Sequence, residues 1–116
     1  MSILARITDE HYGEIPVVAI DGEIDASNSA DVADRLRAAL SNRSAALVVD
    51  LSGTTYIDSA GLNILFELSV ALRERQQELH LVVAQPSPIA RMVAIVGLDA
   101  AVATHPTRAG ALDALG

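Results

Sequence analysis

Asp58-Ser59-Ala60-Gly61 sits where a polar loop gives way to an apolar-periodic segment. A serine hydroxyl at such a junction supports two kinds of chemistry. Serine is among the preferred N-cap residues, so Ser59 could do no more than close the start of a helix. The same place suits an anion, because free backbone N–H groups and the positive end of the helix dipole stabilise negative charge there. A phosphoryl group on Ser59 therefore fits without unfolding the chain. Hydrolysis is a poorer match. A nucleophile elbow needs G-x-S-x-G, and position 57 is isoleucine. His11, His80 and His105 fall in a turn, a strand and a late loop, and their spacing is not that of zinc ligands.

All eight basic residues are arginine. Without lysine there is no P-loop and no receiver-type phosphorylation site, which needs a lysine near the end of the last strand. Without cysteine there is no thiol nucleophile, disulfide framework or thiolate metal site, and the plain reading is a reducing, cytoplasmic setting. The expectation is a chain that is no enzyme and takes no metal or other cofactor.

The elements that must position Ser59 follow from periodicity. Ile3 to Thr8 and Ile15 to Ile20 read as two strands of an antiparallel hairpin turning through Asp9–Glu14. Asp25-Ala26-Ser27-Asn28-Ser29 offers capping side chains, and Val32, Leu36, Ala39 and Leu40 then recur at helical spacing. Ala46 to Leu51 is nearly all apolar, as in a parallel strand covered on both faces. Asp50 lies inside that run and needs a buried partner that the sequence does not name.

A loop over Ser52–Asp58 leads into a helix from Ser59 to about Gln76, with Leu62, Leu65, Phe66, Leu68 and Leu72 inward. Leu79 to Ala84 is a further strand. Ser87 and Pro88 suit the N-cap and first turn of a third helix, which faces inward through Ile89, Met92, Val93 and Val96 and ends at Gly97. A short strand near Ala101–Ala103 and a helix from Thr107 complete the order ββαβαβαβα. The fold class is α/β, a mixed, mainly parallel sheet with flanking helices. Right-handed crossovers then place the loops after the second, third and fourth strands on one rim, with Asp25, Ser59 and Pro86 together.

Two motifs at this spacing carry a resemblance. Val48-Val49-Asp50-Leu51-Ser52 followed by Tyr56-Ile57-Asp58-Ser59-Ala60-Gly61-Leu62 resembles the central signature of STAS domains of the anti-sigma factor antagonist (anti-anti-sigma factor) family. Gly22-Glu23-Ile24-Asp25 resembles that family's G-E-L/I-D at the end of the second strand. The chain departs from many members in carrying Ala60 where they have a second serine.

The resemblance implies one STAS domain over residues 1–116. It implies a protein that binds an anti-sigma factor serine kinase to release a sigma factor. Phosphorylation of Ser59 inactivates it, and a serine phosphatase restores it. The family's partner-contact aspartate falls on Asp25, and the implied partner-binding set is Asp25, Asp58, Ser59, Gly61 and Leu62. Leu62 and Leu98 are apolar candidates at the rim, for which core packing is the plainer role. The alternative is a STAS interaction module outside sigma regulation, as a scaffold in a stress-sensing assembly or an accessory to lipid transport.

Charge and composition narrow the partners. The net charge of −7 and the absence of a cationic cluster argue against direct nucleic-acid or acidic-membrane binding. No apolar run approaches the roughly 18 residues of a spanning helix. Met1-Ser2-Ile3-Leu4-Ala5-Arg6 lacks the pattern of a secretory leader. The expected particle is a cytoplasmic monomer or weak dimer. With 51% hydrophobic but only 3% aromatic residues, its core must be aliphatic.

Overall fold

The central apolar run dictates the layering. Ala46–Asp50 is buried at every position, which requires cover on both faces of its sheet. A computed structural model describes residues 4–115 and supplies that cover.

The chain opens with β1 (Ala5–Tyr12) and β2 (Ile15–Ile24), an antiparallel hairpin in register from Ala5 opposite Gly22 to Tyr12 opposite Ile15. Both strands outrun the sequence expectation. The turn shrinks to Gly13 and Glu14, with Gly13 at φ +64, and Asp9–Tyr12 continues the strand despite its polarity. Charged residues are tolerated there because β1 is an edge strand, half solvated. Ile3, expected in the first strand, and the leader positions Met1 and Ser2 lie outside the described residues.

Next come α1 (Ser29–Ala38), β3 (Ala46–Asp50), β4 (Thr54–Ile57) and α2 (Ser59–Glu74). The chain ends with β5 (Glu78–Val82), α3 (Pro88–Ile95), α4 (Leu98–Ala101), β6 (Ala103–His105) and α5 (Arg108–Leu115). The sheet order is β1-β2-β3-β5-β6, parallel except for the hairpin. β2 pairs with β3 at Val17–Ala19 and, past an irregularity at Gly22 and Glu23, with β4 at Gly22–Ile24. Gly22 is required there. Its φ is +115, and a Cβ would come within 2.2 Å of the Leu4 carbonyl oxygen.

One aliphatic core lies between the sheet and α1–α4, built on Ile20, Ile24, Leu47, Val49, Leu65, Leu72, Leu81 and Leu98. The other face holds a smaller cluster in which Ala111, Leu112 and Leu115 of α5 cover Val17, Val48 and Val82. The third helix starts as expected: Ser87 accepts a hydrogen bond from the Ala90 N–H, and Pro88 occupies its first turn. Gly97 is left-handed at φ +78. Val96, expected to face inward, is 40% exposed, because it caps the helix just where the chain turns away.

β4 and α4 were not expected from the sequence, and β6 lies two residues later than expected. Among the described residues no helix is long and apolar enough to cross a membrane.

Candidate functional site

Ser59 is exposed in the first turn of a 16-residue helix, but it does not cap that helix. Asp58 does. Its Oδ1 accepts the Gly61 N–H at 3.1 Å, while its Oδ2 accepts the Ala26 N–H at 3.2 Å. The Asp58 N–H in turn donates to the Ile24 carbonyl at 3.2 Å. One half-buried carboxylate thus joins the start of α2 to the loop that follows β2. The reason is local: β4 lies parallel to the end of β2, with Ile57 opposite Ile24, so both strands deliver their next residues to one place. The Ser59 hydroxyl is left to the surface.

Asp25 belongs to that neighbouring loop. Its Oδ1 accepts the Ser27 hydroxyl at 2.6 Å and the Ser27 N–H at 2.8 Å. Those two bonds, the hydroxyl first, hold the Asp25 carboxyl below its ordinary 3.8. Asn28 fixes the turn around it, accepting the Asp25 N–H at 2.9 Å and donating to the Glu23 carbonyl at 2.8 Å. The loop therefore presents an ionised carboxylate on a braced turn beside Ser59. The Asp58–Ala26 hydrogen bond brings the loop that carries Asp25 next to the start of α2 at Ser59.

Gly61 and Leu62 need correcting as partner-facing residues. Leu62 is 3% exposed and packs in the core, as does Leu98. Gly61 is buried, and a Cβ there would meet Ile57 at 2.7 Å and Ile24 at 2.8 Å. Both residues seat the start of α2 on the sheet from beneath. The helical period that brings Leu62 into line with Leu65 and Leu72 also turns it away from solvent.

Sequence reasoning missed the floor beside Ser59. A hollow of about 390 Å³ is lined by Thr55, Tyr56, Ile57, Asp58, Ser59, Pro88, Ile89 and Met92. Tyr56 is 49% exposed at its edge. The signal was present in Thr54-Thr55-Tyr56-Ile57, a β-branched and aromatic run bounded by Gly53 and Asp58. The structure also supplies the partner of Asp50. Arg108 of α5 binds its Oδ2 through Nη2 at 2.9 Å and Nε at 3.0 Å, and reaches Glu10 at 2.7 Å. The other Asp50 oxygen accepts the Ser52 N–H and hydroxyl. Among the described residues no cluster of three or more histidine or acidic side chains is arranged to hold a metal.

Comparison with known proteins agrees with this architecture. Residues 6–111 match the STAS domain family. The anti-sigma-F factor antagonist RsfB of Mycobacterium tuberculosis is 34% identical over 98 residues, which cover 84% of this chain and 77% of RsfB. An anti-sigma factor antagonist from Mycobacterium paratuberculosis superposes with a TM-score of 0.82 at 28% identity, covering 96% of this chain and 93% of that one. A putative anti-sigma factor antagonist from Thermotoga maritima superposes at 0.84, with 15% identity and coverage of 94% and 93%. The chain belongs to the STAS domain family.

Proposed function

We propose that this chain is an anti-sigma factor antagonist acting as a single domain, and that Ser59 is its phosphorylation switch. The observation that carries the proposal is the exposed hydroxyl of Ser59 at the start of α2, beside the braced carboxylate of Asp25. The names of the related proteins support the same reading. The chain binds an anti-sigma factor that is also a serine kinase, and thereby frees a sigma factor. The kinase supplies the nucleotide and the catalysis; this chain supplies a surface and a phosphoacceptor. A serine phosphatase reverses the modification.

Phosphorylation adds about −1.5 to −2 charges at pH 7. The α2 N-terminus offsets roughly 0.3–1 kcal/mol of that at an exposed site. Asp58 already takes the Gly61 N–H, and it adds negative charge beside Ser59. These terms are small against a typical stability of roughly 5–15 kcal/mol, so the fold survives. The complex has less margin. A dianion must be desolvated where a hydroxyl fitted, and losing roughly 3 kcal/mol there weakens binding more than about a hundredfold.

The test is calorimetric titration of the cognate anti-sigma kinase with wild type, Ser59→Ala and Ser59→Asp. Ser59→Ala should bind as wild type does and Ser59→Asp far more weakly, both keeping a native circular dichroism spectrum. Equal affinity of the two variants would overturn the switch.

A further inference from the structure

The phosphoacceptor rim leaves a pair of histidines on the opposite sheet face without a role. His80 of β5 is 6% exposed, and His105 ends β6 half-buried. The parallel register sets His80 beside Ala103 and Val82 beside His105, so both imidazoles lie on the α5 face. His80 Nδ1 is 2.9 Å from His105 Nε2, and His80 Nε2 is 2.9 Å from Glu78 Oε1. The two ring planes differ by 11°, with centroids 5.2 Å apart. An N···N contact of 2.9 Å plus two ring radii spans that whole separation. The rings therefore meet edge to edge in nearly one plane, as an in-line N–H···N bond requires.

The donors and acceptors in this row limit how many protons it holds. The Glu78 carboxylate only accepts, so His80 Nε2 carries a hydrogen. With both rings neutral, His80 Nδ1 is bare and accepts from His105 Nε2–H. One added proton breaks nothing: His80 becomes a cation donating from both nitrogens, and His105 accepts at Nε2 with its own hydrogen on Nδ1. A second added proton sets two N–H groups and two cations against each other.

The surrounding charges favour one proton and oppose two. Glu78 on the same strand favours the first. Arg73 of α2, lining the hollow that Glu78 and His80 share, opposes the second. Arg108 of α5 is itself paired with Asp50 of β3 and Glu10 of β1. Burial first, and then His80, hold His105 below its ordinary 6.5.

We infer that Glu78, His80 and His105 form a one-proton clasp that fastens β6 to the sheet, and that acid opens it. β6 is an edge strand of three residues. Once β6 detaches, His105 leaves that buried contact and regains the ordinary imidazole value of about 6.5, and the two rings no longer compete for one proton. The open form then holds one proton more than the closed form. The sign follows: the lowered His105 value leaves the clasp intact above about pH 6.5 and weakens it as pH falls below. Each unit there favours opening by about tenfold.

The test is amide hydrogen exchange between pH 7.5 and 5, corrected for intrinsic rate, with ¹⁵N chemical shifts of the imidazole nitrogens. The reporter is the ladder closed by the Val83 N–H on the His105 carbonyl. Its opening constant should rise about tenfold per unit below about pH 6.5 while the closed pair takes up one proton. In His105→Gln, which cannot take the second proton, the pH dependence should vanish. An opening constant equal at pH 7.5 and 5, or two imidazolium rings in a closed strand, would overturn the clasp. If His105→Gln does not fold, the wild-type titration decides alone.

Discussion

Replacing Asp58 with alanine isolates the carboxylate that joins the two halves of the site. The change removes the acceptor of the Gly61 N–H, an N-cap bond worth about 1 kcal/mol. It also removes the acceptor of the Ala26 N–H, an exposed bond worth about 0.5–1 kcal/mol. Together they amount to about 2 kcal/mol, roughly thirtyfold in the unfolding equilibrium. Asp58→Asn separates the two terms. Asparagine caps as well as aspartate does, but it has only one acceptor oxygen, so it keeps the cap and loses the tether. The expected order is wild type, then Asn lower by about 0.5–1 kcal/mol, then Ala lower by about 2. Urea unfolding at pH 7 with a shared m-value measures all three. An alanine variant within about 0.5 kcal/mol of wild type, or indistinguishable from asparagine, would refute the reasoning.

Further outcomes follow from other contacts. Arg108→Met strands the buried Asp50 carboxylate, and because the Arg108 side chain is itself 27% exposed the expected loss is about 2–3 kcal/mol, below the range for a fully buried pair. Adding Asp50→Asn to that variant should recover part of the loss in the same urea assay, and no recovery would argue against the charge pair. Ser27→Ala removes the main cause of the low Asp25 pKa, so the Asp25 carboxyl should titrate closer to 3.8 by ¹³C NMR. The stabilisation from Asp25 is present above pH 3.8 and is lost as pH falls through its lower folded value; that acid-side loss should shrink in Ser27→Ala, and an unmoved titration would contradict the assignment. Asp25→Ala should weaken binding of the anti-sigma kinase while leaving the urea midpoint nearly unchanged, and a large drop in midpoint with intact binding would reverse that assignment.

Much of this architecture was legible because the chain is locally consistent. The all-apolar Ala46–Leu51 announced a doubly covered strand, and Ser87-Pro88 announced a helix start. What was not legible depended on distance. Thr54–Ile57 forms a strand only because β2 runs past its bulge to meet it, a pairing between residues about thirty apart in the chain. Arg108 lies 58 residues from Asp50 and in another element, so no local pattern links them. Ser59 reads from the sequence as at or near the cap of α2; the helix does begin at Ser59, and the residue before it, Asp58, supplies the cap while also holding the Ala26 N–H, a contact 32 residues away in the chain that no local pattern announces. Leu62 was read from its motif as partner-facing, whereas helical period alone sends it inward.

The central claim is that Ser59 receives the phosphate and that its charge ends the complex. The direct measurement is incubation with the cognate anti-sigma kinase and ATP, mapping of the phosphate by mass spectrometry, and re-measurement of affinity on the modified protein. The account predicts one phosphate, on Ser59, and a loss of affinity of more than about a hundredfold in a protein that stays folded. Phosphate on Thr55 or Ser87 with Ser59 bare, or undiminished binding after Ser59 is modified, would contradict it.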